Sequence, residues 1–331
     1  MFYILGGMKV AVTGAAGYLG TNLIPQLLER GHEVVAIDRA APTTSDPAVT
    51  WISGDVLDPA SMRGALEGAE VVYHLVALIT LAEKNDLAWR VNTEGVRVTA
   101  EAALETGARR FVHTSSIHAF DQYRAGGHID ETTLRSTDPG LPVYDRSKWA
   151  GEQALRPVIE RGLDAVIVNP TGVYGPADHP KNLSRLNRTA AEAMRGRTPV
   201  MIGGGFDLVD VRDVAHGLIL AGEKGRTGEN YLLGGYMTTL IDLCRMAAAR
   251  TGAKGPRFAI PAKALGAVLP VVEPISKRFG SDILSKAALG AILSAPIVDH
   301  GKAERELGYH PRPTAETVAD LVDFLRAPRS A

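Results

Sequence analysis

The stretch Val10-Ala-Val-Thr-Gly-Ala-Ala-Gly-Tyr-Leu-Gly20 decides the fold. A short β-forming run leads into Gly14, Gly17 and Gly20, and residues with helical periodicity follow. In such a junction the first glycine permits a tight turn, the second lets backbone approach a pyrophosphate, and the third allows close helix–strand packing. The helix start adds unpaired N–H groups and a partial positive charge, which suit phosphates. Glycines alone also serve ordinary turns, but between a strand and a helix they point to a dinucleotide. Ala16, Tyr18 and Leu19 belong to the same turn and are expected at the cofactor with the glycines.

Outward from this turn, short strands alternate with helices. Val10 to Val12, Glu33 to Ile37, Val71 to Leu75, Arg110 to His113 and Ala165 to Asn169 read as buried strands. Leu19 to Arg30, Ala60 to Glu67, Ala88 to Thr106 and Arg146 to Arg161 carry apolar residues at helical spacing. The alternation predicts an α/β fold, a Rossmann-type doubly wound parallel sheet with helices on both faces. Residues 1–175 are expected to form the dinucleotide-binding domain, with 206–235 returning to it. Residues 176–205 and 236–331 are expected to build a smaller, mainly helical substrate-binding cap over the C-terminal edge of the sheet. In that half, Asn182 to Arg195 reads as a helix, Phe206 to Leu220 as strand then helix, and Asn230 to Leu233 as a strand.

Composition narrows the function. Among 331 residues, 36 Lys and Arg nearly balance 37 Asp and Glu, so no basic excess is available for nucleic acid. The single cysteine, Cys244, excludes an internal disulfide framework and reads as a small buried hydrophobe. Met1 to Gly7 lacks a basic leader region, and Met8 is an alternative start. The apolar run Ala262 to Val272 is bounded by Pro261 and Pro270, too short for a membrane span, and reads as a buried or substrate-facing helix. A cytoplasmic enzyme with a small-molecule substrate is expected.

Asp38 ends the second strand, where a carboxylate accepts hydrogen bonds from a ribose 2′-OH and repels a 2′-phosphate. NAD is therefore expected, with NADP as the alternative because Arg39 follows. The chemistry is read at Tyr144-Asp-Arg-Ser-Lys148, where the phenol and amine lie four residues apart on one helix face. A nearby ammonium favours the phenolate and is expected to lower the Tyr144 pKa toward a useful range. Phe111-Val-His-Thr-Ser-Ser116 reads as a strand ending in hydroxyls at the substrate edge. Ser116 can steady charge on a reacting oxygen there; it can equally cap a turn.

In this order and spacing, Thr13 to Gly20, Ser116, Tyr144 and Lys148 resemble an extended short-chain dehydrogenase/reductase. The resemblance covers nearly the whole chain. It implies that Tyr144 gives or takes the proton, Lys148 tunes it and holds the nicotinamide ribose, and Ser116 orients the substrate. It puts Asp55 and Val56 of Gly54-Asp-Val-Leu-Asp58 at adenine, and Leu75, Val76 and Ala77 along the cofactor. Asn92 supports the active site, Thr114 lies beside the cofactor, and Pro170, Thr171 and Val173 flank the nicotinamide. A homodimer through Ala88 to Thr106 and Arg146 to Arg161 is also implied.

Within the family, sugar-nucleotide epimerases and dehydratases compete with single-step reductases. The epimerases place an arginine before the Asp-aromatic-apolar strand and an Arg-Pro-Gly-Asp stretch before the segment matched by Lys302 to Gly308. Here those positions hold Phe206 and the apolar run Leu289 to Pro296. A buried diphosphate without cationic partners is strongly disfavoured. Ser115 to Phe120, Tyr144 to Lys148 and the apolar cap resemble instead the dihydroflavonol-4-reductase and 3β-hydroxysteroid dehydrogenase branch. Asp38 departs from the NADP-type ending common in that branch. A cofactor-sensing regulator on the same fold is the non-enzyme alternative, against which both Tyr144 and Lys148 are retained. No metal is expected: His113, His118, His128 and His179 lack a ligand pattern and read as core, surface or substrate-loop residues. Arg185 and Arg188 read as a solvated helix face or as contacts to an anionic substrate, and Asp130-Glu131 as a solvated turn.

Overall fold

A computed structural model describes residues 7–40, 46–179, 182–262, 264 and 286–327. Its first half runs β1 (Lys9–Thr13), α1 (Tyr18–Glu29), β2 (Glu33–Asp38), β3 (Val49–Ser53), α2 (Pro59–Ala65), β4 (Val71–His74), α3 (Asp86–Glu105) and β5 (Arg110–Thr114). After a short β6 (His128–Ile129) come α4 (Val143–Glu160), β7 (Ala165–Pro170), β8 (Gly172–Tyr174) and α5 (Arg185–Met194). The chain continues through β9 (Val200–Ile202), β10 (Gly205–Asp210), α6 (Val211–Lys224), β11 (Asn230–Leu233), β12 (Tyr236–Thr239), α7 (Leu240–Ala249) and β13 (Phe258–Ile260). Further helices span Lys286–Ser294, Gly301–Leu307 and Thr314–Arg326, and β14 (Ile297–Val298) lies between the first two.

Seven strands form one sheet in the order β3-β2-β1-β4-β5-β7-β11, all parallel. The chain winds outward from β1 through β2 to β3, then restarts at β4 and winds the other way. The crevice between the C-terminal ends of β1 and β4 is thus the switch point, where ligands bind in such sheets. Alternation along β1 sorts the core: Val10 and Val12 face α1 and α6, while Ala11 faces the layer of α2, α3 and α4. Leu23, Leu27 and Leu218 fill the first layer; Val72, Phe111 and Leu155 fill the second. Each such side chain contributes about 1.5–3 kcal/mol on burial. Local signals set the helix starts. Asp58 caps α2 by accepting from Ala60 N at 2.9 Å, and Pro59 occupies its first position. Asn85 caps α3 through Ala88 N at 2.9 Å.

Several boundaries differ from expectation. Helix α4 opens at Val143, directly after Pro142, so Tyr144 sits in its first turn. Helix α5 opens at Arg185, after Asp178 has accepted from Ser184 N. Val49–Ser53, absent from the expected strands, pairs with β2 at the sheet edge and is only partly buried. Glu131, expected in a solvated turn, instead accepts from Leu232 N at 2.9 Å and is held against β11. Cys244 is fully buried in α7, and burial pushes its thiol up to about 11. Most of Ala262 to Val272 lies outside the described residues.

Above the sheet, β10 joins β8 in parallel and β12 antiparallel, while β9 pairs with β13. Strand β14 returns to pair with β6, bringing Pro296 and Val298 beside the loop after β5. Among the described residues no helix is long and apolar enough to cross a membrane.

Candidate active site

The glycine turn is shaped by contacts that exclude side chains. Gly14 adopts φ +72°, and a Cβ there would stand 3.1 Å from Val76 N. At Gly20 a Cβ would come within 2.4 Å of Ala15 O, so helix and turn meet backbone to backbone. No side chain caps α1 and its first turn holds no acid, which leaves helix N–H groups for an anion. Asp38 is fixed by two backbone donors, Ala16 N at 3.1 Å and Arg39 N at 2.7 Å. One cleft gathers Gly14, Gly17, Asp38 and Arg39 with Asp55, Val56, Leu75, Val76 and Ala77. An apolar-walled slot, an anion-ready helix start and a carboxylate at the far end fit a nicotinamide dinucleotide.

At three expected cofactor positions the side chains turn elsewhere. The Tyr18 hydroxyl donates to Gly175 O at 2.7 Å and accepts from Asn187, tying α1 to the loop after β8. Leu19 packs against the core beside α1. Val173 pairs with Val209 in the cap sheet and also packs on that core. Pro170 closes β7 opposite Leu233, and Thr171 donates to Asp207 Oδ1 at 2.6 Å on the wall of a second cavity.

Tyr144, Lys148 and Ser116 converge at the ends of β5 and α4. Lys148 is 2% exposed and its Nζ donates to Thr114 O at 2.8 Å, so Thr114 enters the site through its carbonyl. Ser116 takes the capping role its sequence context allowed. Its hydroxyl accepts from His118 N at 3.2 Å, capping a 3-10 turn over Ile117–Ala119, and it draws the Tyr144 pKa downward. Burial pushes the Tyr144 phenol up to about 12, against the opposing pull of Ser116. The expected lowering by Lys148 is not found, because desolvation outweighs what its neighbours supply and the ammonium is turned to Thr114 O. Burial also lowers Lys148 to about 8, against the opposing Glu152 carboxylate. Tyr144 therefore holds its proton at neutral pH.

Asn92 is 1% exposed and acts through backbone. Its Oδ1 accepts from Leu78 N at 2.8 Å, and its Nδ2 donates to Leu78 O and to Ser147 Oγ. Ser147 Oγ donates in turn to Tyr144 O at 2.9 Å, so Asn92 pins the segment after β4 to the first turn of α4. Glu152 was not anticipated from the sequence. It is fully buried and accepts from Asn169 and Asn230, while Asn169 also donates to Ser116 O at 3.0 Å. Its position four residues after Lys148 was the available signal.

The histidines separate into distinct environments. His74 and His113 stack beneath the site with pKa values lowered by burial, His74 down to about 3. His128 and His179 are exposed. Among the described residues no group of three or more potential metal ligands is found.

The second cavity, of about 330 Å³, adjoins this cluster through Ile117 and His118. Leu186, Met201, Ile202, Phe206, Leu208 and Ile292 give it an apolar wall, and Arg185, Thr189, Gln122, Thr171 and Asp207 add polar points. Phe206 stands where the sugar-nucleotide enzymes were expected to place an arginine, and Pro296 ends the apolar run found in place of their Arg-Pro-Gly-Asp stretch. Arg185 faces the cavity, whereas Arg188 lies on the exposed side and donates to Leu183 O.

A family model described as the NAD dependent epimerase/dehydratase family matches residues 10–234. The chain belongs to this family. Sterol demethylase protein B of Methylococcus capsulatus is 34% identical over 327 residues, covering 96% of this chain and 98% of that protein. A Synechocystis sp. protein named as a candidate dihydroflavonol 4-reductase is 29% identical, covering 95% and 94%. The crystal structure of gox2253 superposes with a TM-score of 0.81 at 32% identity, covering 96% and 98%. The protein is an extended short-chain dehydrogenase/reductase, an enzyme working with NAD(P) on a Rossmann-type fold.

Proposed function

We propose that this enzyme is an NAD-preferring oxidoreductase that reduces a ketone, or oxidises the matching secondary alcohol, on a largely apolar substrate carrying no nucleotide. The observation that carries the reading is the apolar cavity that reaches the Tyr144 cluster through Ile117 and His118, with Phe206 and Pro296 in its wall. A diphosphate would need paired cations there, since its desolvation without them is prohibitive. The relatives named for sterol demethylation and dihydroflavonol reduction support the same direction.

Catalysis is assigned to Tyr144, Lys148 and Ser116, with Asn92 as a positioning residue. When bound, the nicotinamide supplies or accepts the hydride. Ser116 and Tyr144 hold the carbonyl oxygen, and Tyr144 gives it a proton as the carbon–oxygen π pair moves onto that oxygen. Lys148, held to Thr114 O in the resting site and charged below about pH 8, is assigned to favour the phenolate that forms once the proton has left. Gly14, Ala16, Gly17 and Gly20 are assigned to the pyrophosphate, and Asp38 with Arg39 to the adenosine ribose. Asp55 and Val56 are assigned to adenine, and Leu75, Val76, Ala77, Thr114, Pro170 and Thr171 to the nicotinamide half. Asp38 supports NAD over NADP because a fixed carboxylate repels a 2′-phosphate. We further propose a cytoplasmic homodimer joined through α3 and α4, testable by sedimentation of the purified protein. The functional test is NADH consumption against apolar ketones beside binding of UDP-sugars. Turnover of ketones without UDP-sugar binding is expected; UDP-sugar isomerisation on retained NAD overturns the proposal.

A further inference from the structure

One residue of the cavity wall, with a buried carboxylate behind it, has no part in the steps above. His118 follows Ser116 by two residues and lines the apolar cavity, with its ring edge-on to Tyr144 at 5.3 Å between centroids. Its Nδ1 lies 2.9 Å from Asp145 Oδ1, and Asp145 is 3% exposed on the first turn of α4. The Gln122 amide borders the same nitrogen at 3.3 Å. With Nδ1–H directed to a buried carboxylate, Nε2 is the nitrogen left for the cavity. The His118 side chain is 31% exposed, and Nε2 is not among the buried polar atoms left without a partner.

The other polar points of the wall sharpen this asymmetry. Asp207, an acid of the wall, accepts through Oδ1 from Thr171 Oγ1 and from Gly235 N. Gln122 offers a donor, the Thr189 hydroxyl already donates to Arg185 O, and Arg185 adds a cation that keeps interactions of its own. The cavity is thus apolar in area, and among its few polar points His118 is the one whose ring packs against the Tyr144 phenol.

We propose that His118, oriented by Asp145, is the substrate anchor of this cavity, and that the ligand it selects is an apolar ketone bearing a carboxylate next to the reacting carbon. The inference rests on the proposed oxidoreductase reading and names its substrate class. Asp145 and Tyr144 face the imidazole from α4, with Lys148 one turn further along. The Asp145 carboxylate raises the His118 pKa through charge and hydrogen bond, against burial and the Lys148 ammonium. The pair therefore favours an Nε2–H donor and a cation where an anion would arrive. Asp145 is a positioning residue; His118 is the contact.

Benzylacetone and benzylpyruvate test this directly, since they differ only in a methyl group replaced by a carboxylate at the ketone. A charge-assisted hydrogen bond in such a pocket gives benzylpyruvate a KM about ten- to hundred-fold below that of benzylacetone. His118→Phe keeps an aromatic ring against Tyr144 and is expected to erase that ratio, while Asp145→Asn reduces it. NADH titration of each variant separates loss of the anchor from loss of the fold. Calorimetric binding of both probes to NADH-loaded enzyme is scored beside turnover. Binding of benzylpyruvate that depends on His118, without hydride transfer, keeps the anchor and removes the oxidoreductase reading. Equal affinity for the two probes, binding of neither, or a preference that survives in His118→Phe overturns the anchor.

Discussion

The dinucleotide cleft and the substrate cavity are built on opposite principles. The cleft is made of backbone: glycines that leave no room for a Cβ, an uncapped helix start, and one carboxylate fixed by two backbone N–H groups. The cavity is made of side chains drawn from Leu81 to Val298, mostly apolar, with a few donors among them. Backbone geometry recognises a cofactor shared by many enzymes, while side chains can be exchanged to suit one substrate without disturbing the sheet. The proposed mechanism puts Tyr144 and Lys148 to work where the two meet.

The largest expected effect comes at that junction. Tyr144→Phe should lower turnover by roughly 10²- to 10⁴-fold, with NADH affinity nearly unchanged in a fluorescence titration. Equal losses in both would place Tyr144 in the cleft and blur the division. Next in size, Asp38→Ser should improve NADP relative to NAD by about tenfold, the scale of about 1.4 kcal/mol, as read from paired Kd measurements. Cavity substrates should keep their relative KM values. Gly20→Val should destabilise the fold by about 1–3 kcal/mol through overpacking against Ala15, visible in chemical denaturation.

Much of the cleft was legible because its determinants are local. Gly14, Gly17 and Gly20 lie within two helical turns, and Tyr144 and Lys148 within one, so spacing alone relates them. The cavity was less legible because its walls meet only through tertiary pairing, as when β14 returns to β6 and brings Pro296 beside the loop after β5. The missed β3 follows from its edge position, where partial burial removes the continuous apolar run that marked the inner strands. Glu131 escaped because a carboxylate beside Asp130 looks solvated until β11 supplies Leu232 N. The Tyr144 pKa was misjudged for a related reason: burial is not written in the spacing of two residues.

Two smaller effects sharpen the contrast. Reduction should decline as pH rises through about 8, because Lys148 loses the proton whose charge favours the phenolate. A kcat/KM profile in the reductive direction should show that descending limb, and Lys148→Arg should move it to higher pH. The smallest effect is expected at Phe206→Arg, which places a cation in the apolar wall. Ketone KM should rise by a few-fold, consistent with about 1 kcal/mol of lost apolar contact, while NADH affinity stays constant.

The most direct measurement follows the hydride itself. NADH deuterated at the transferable position should leave its label on the carbinol carbon of the product, with NAD released in equal amount and both signals lost in Tyr144→Phe. Label retained on tightly held cofactor, or product formed at an undiminished rate without the Tyr144 hydroxyl, would contradict the account.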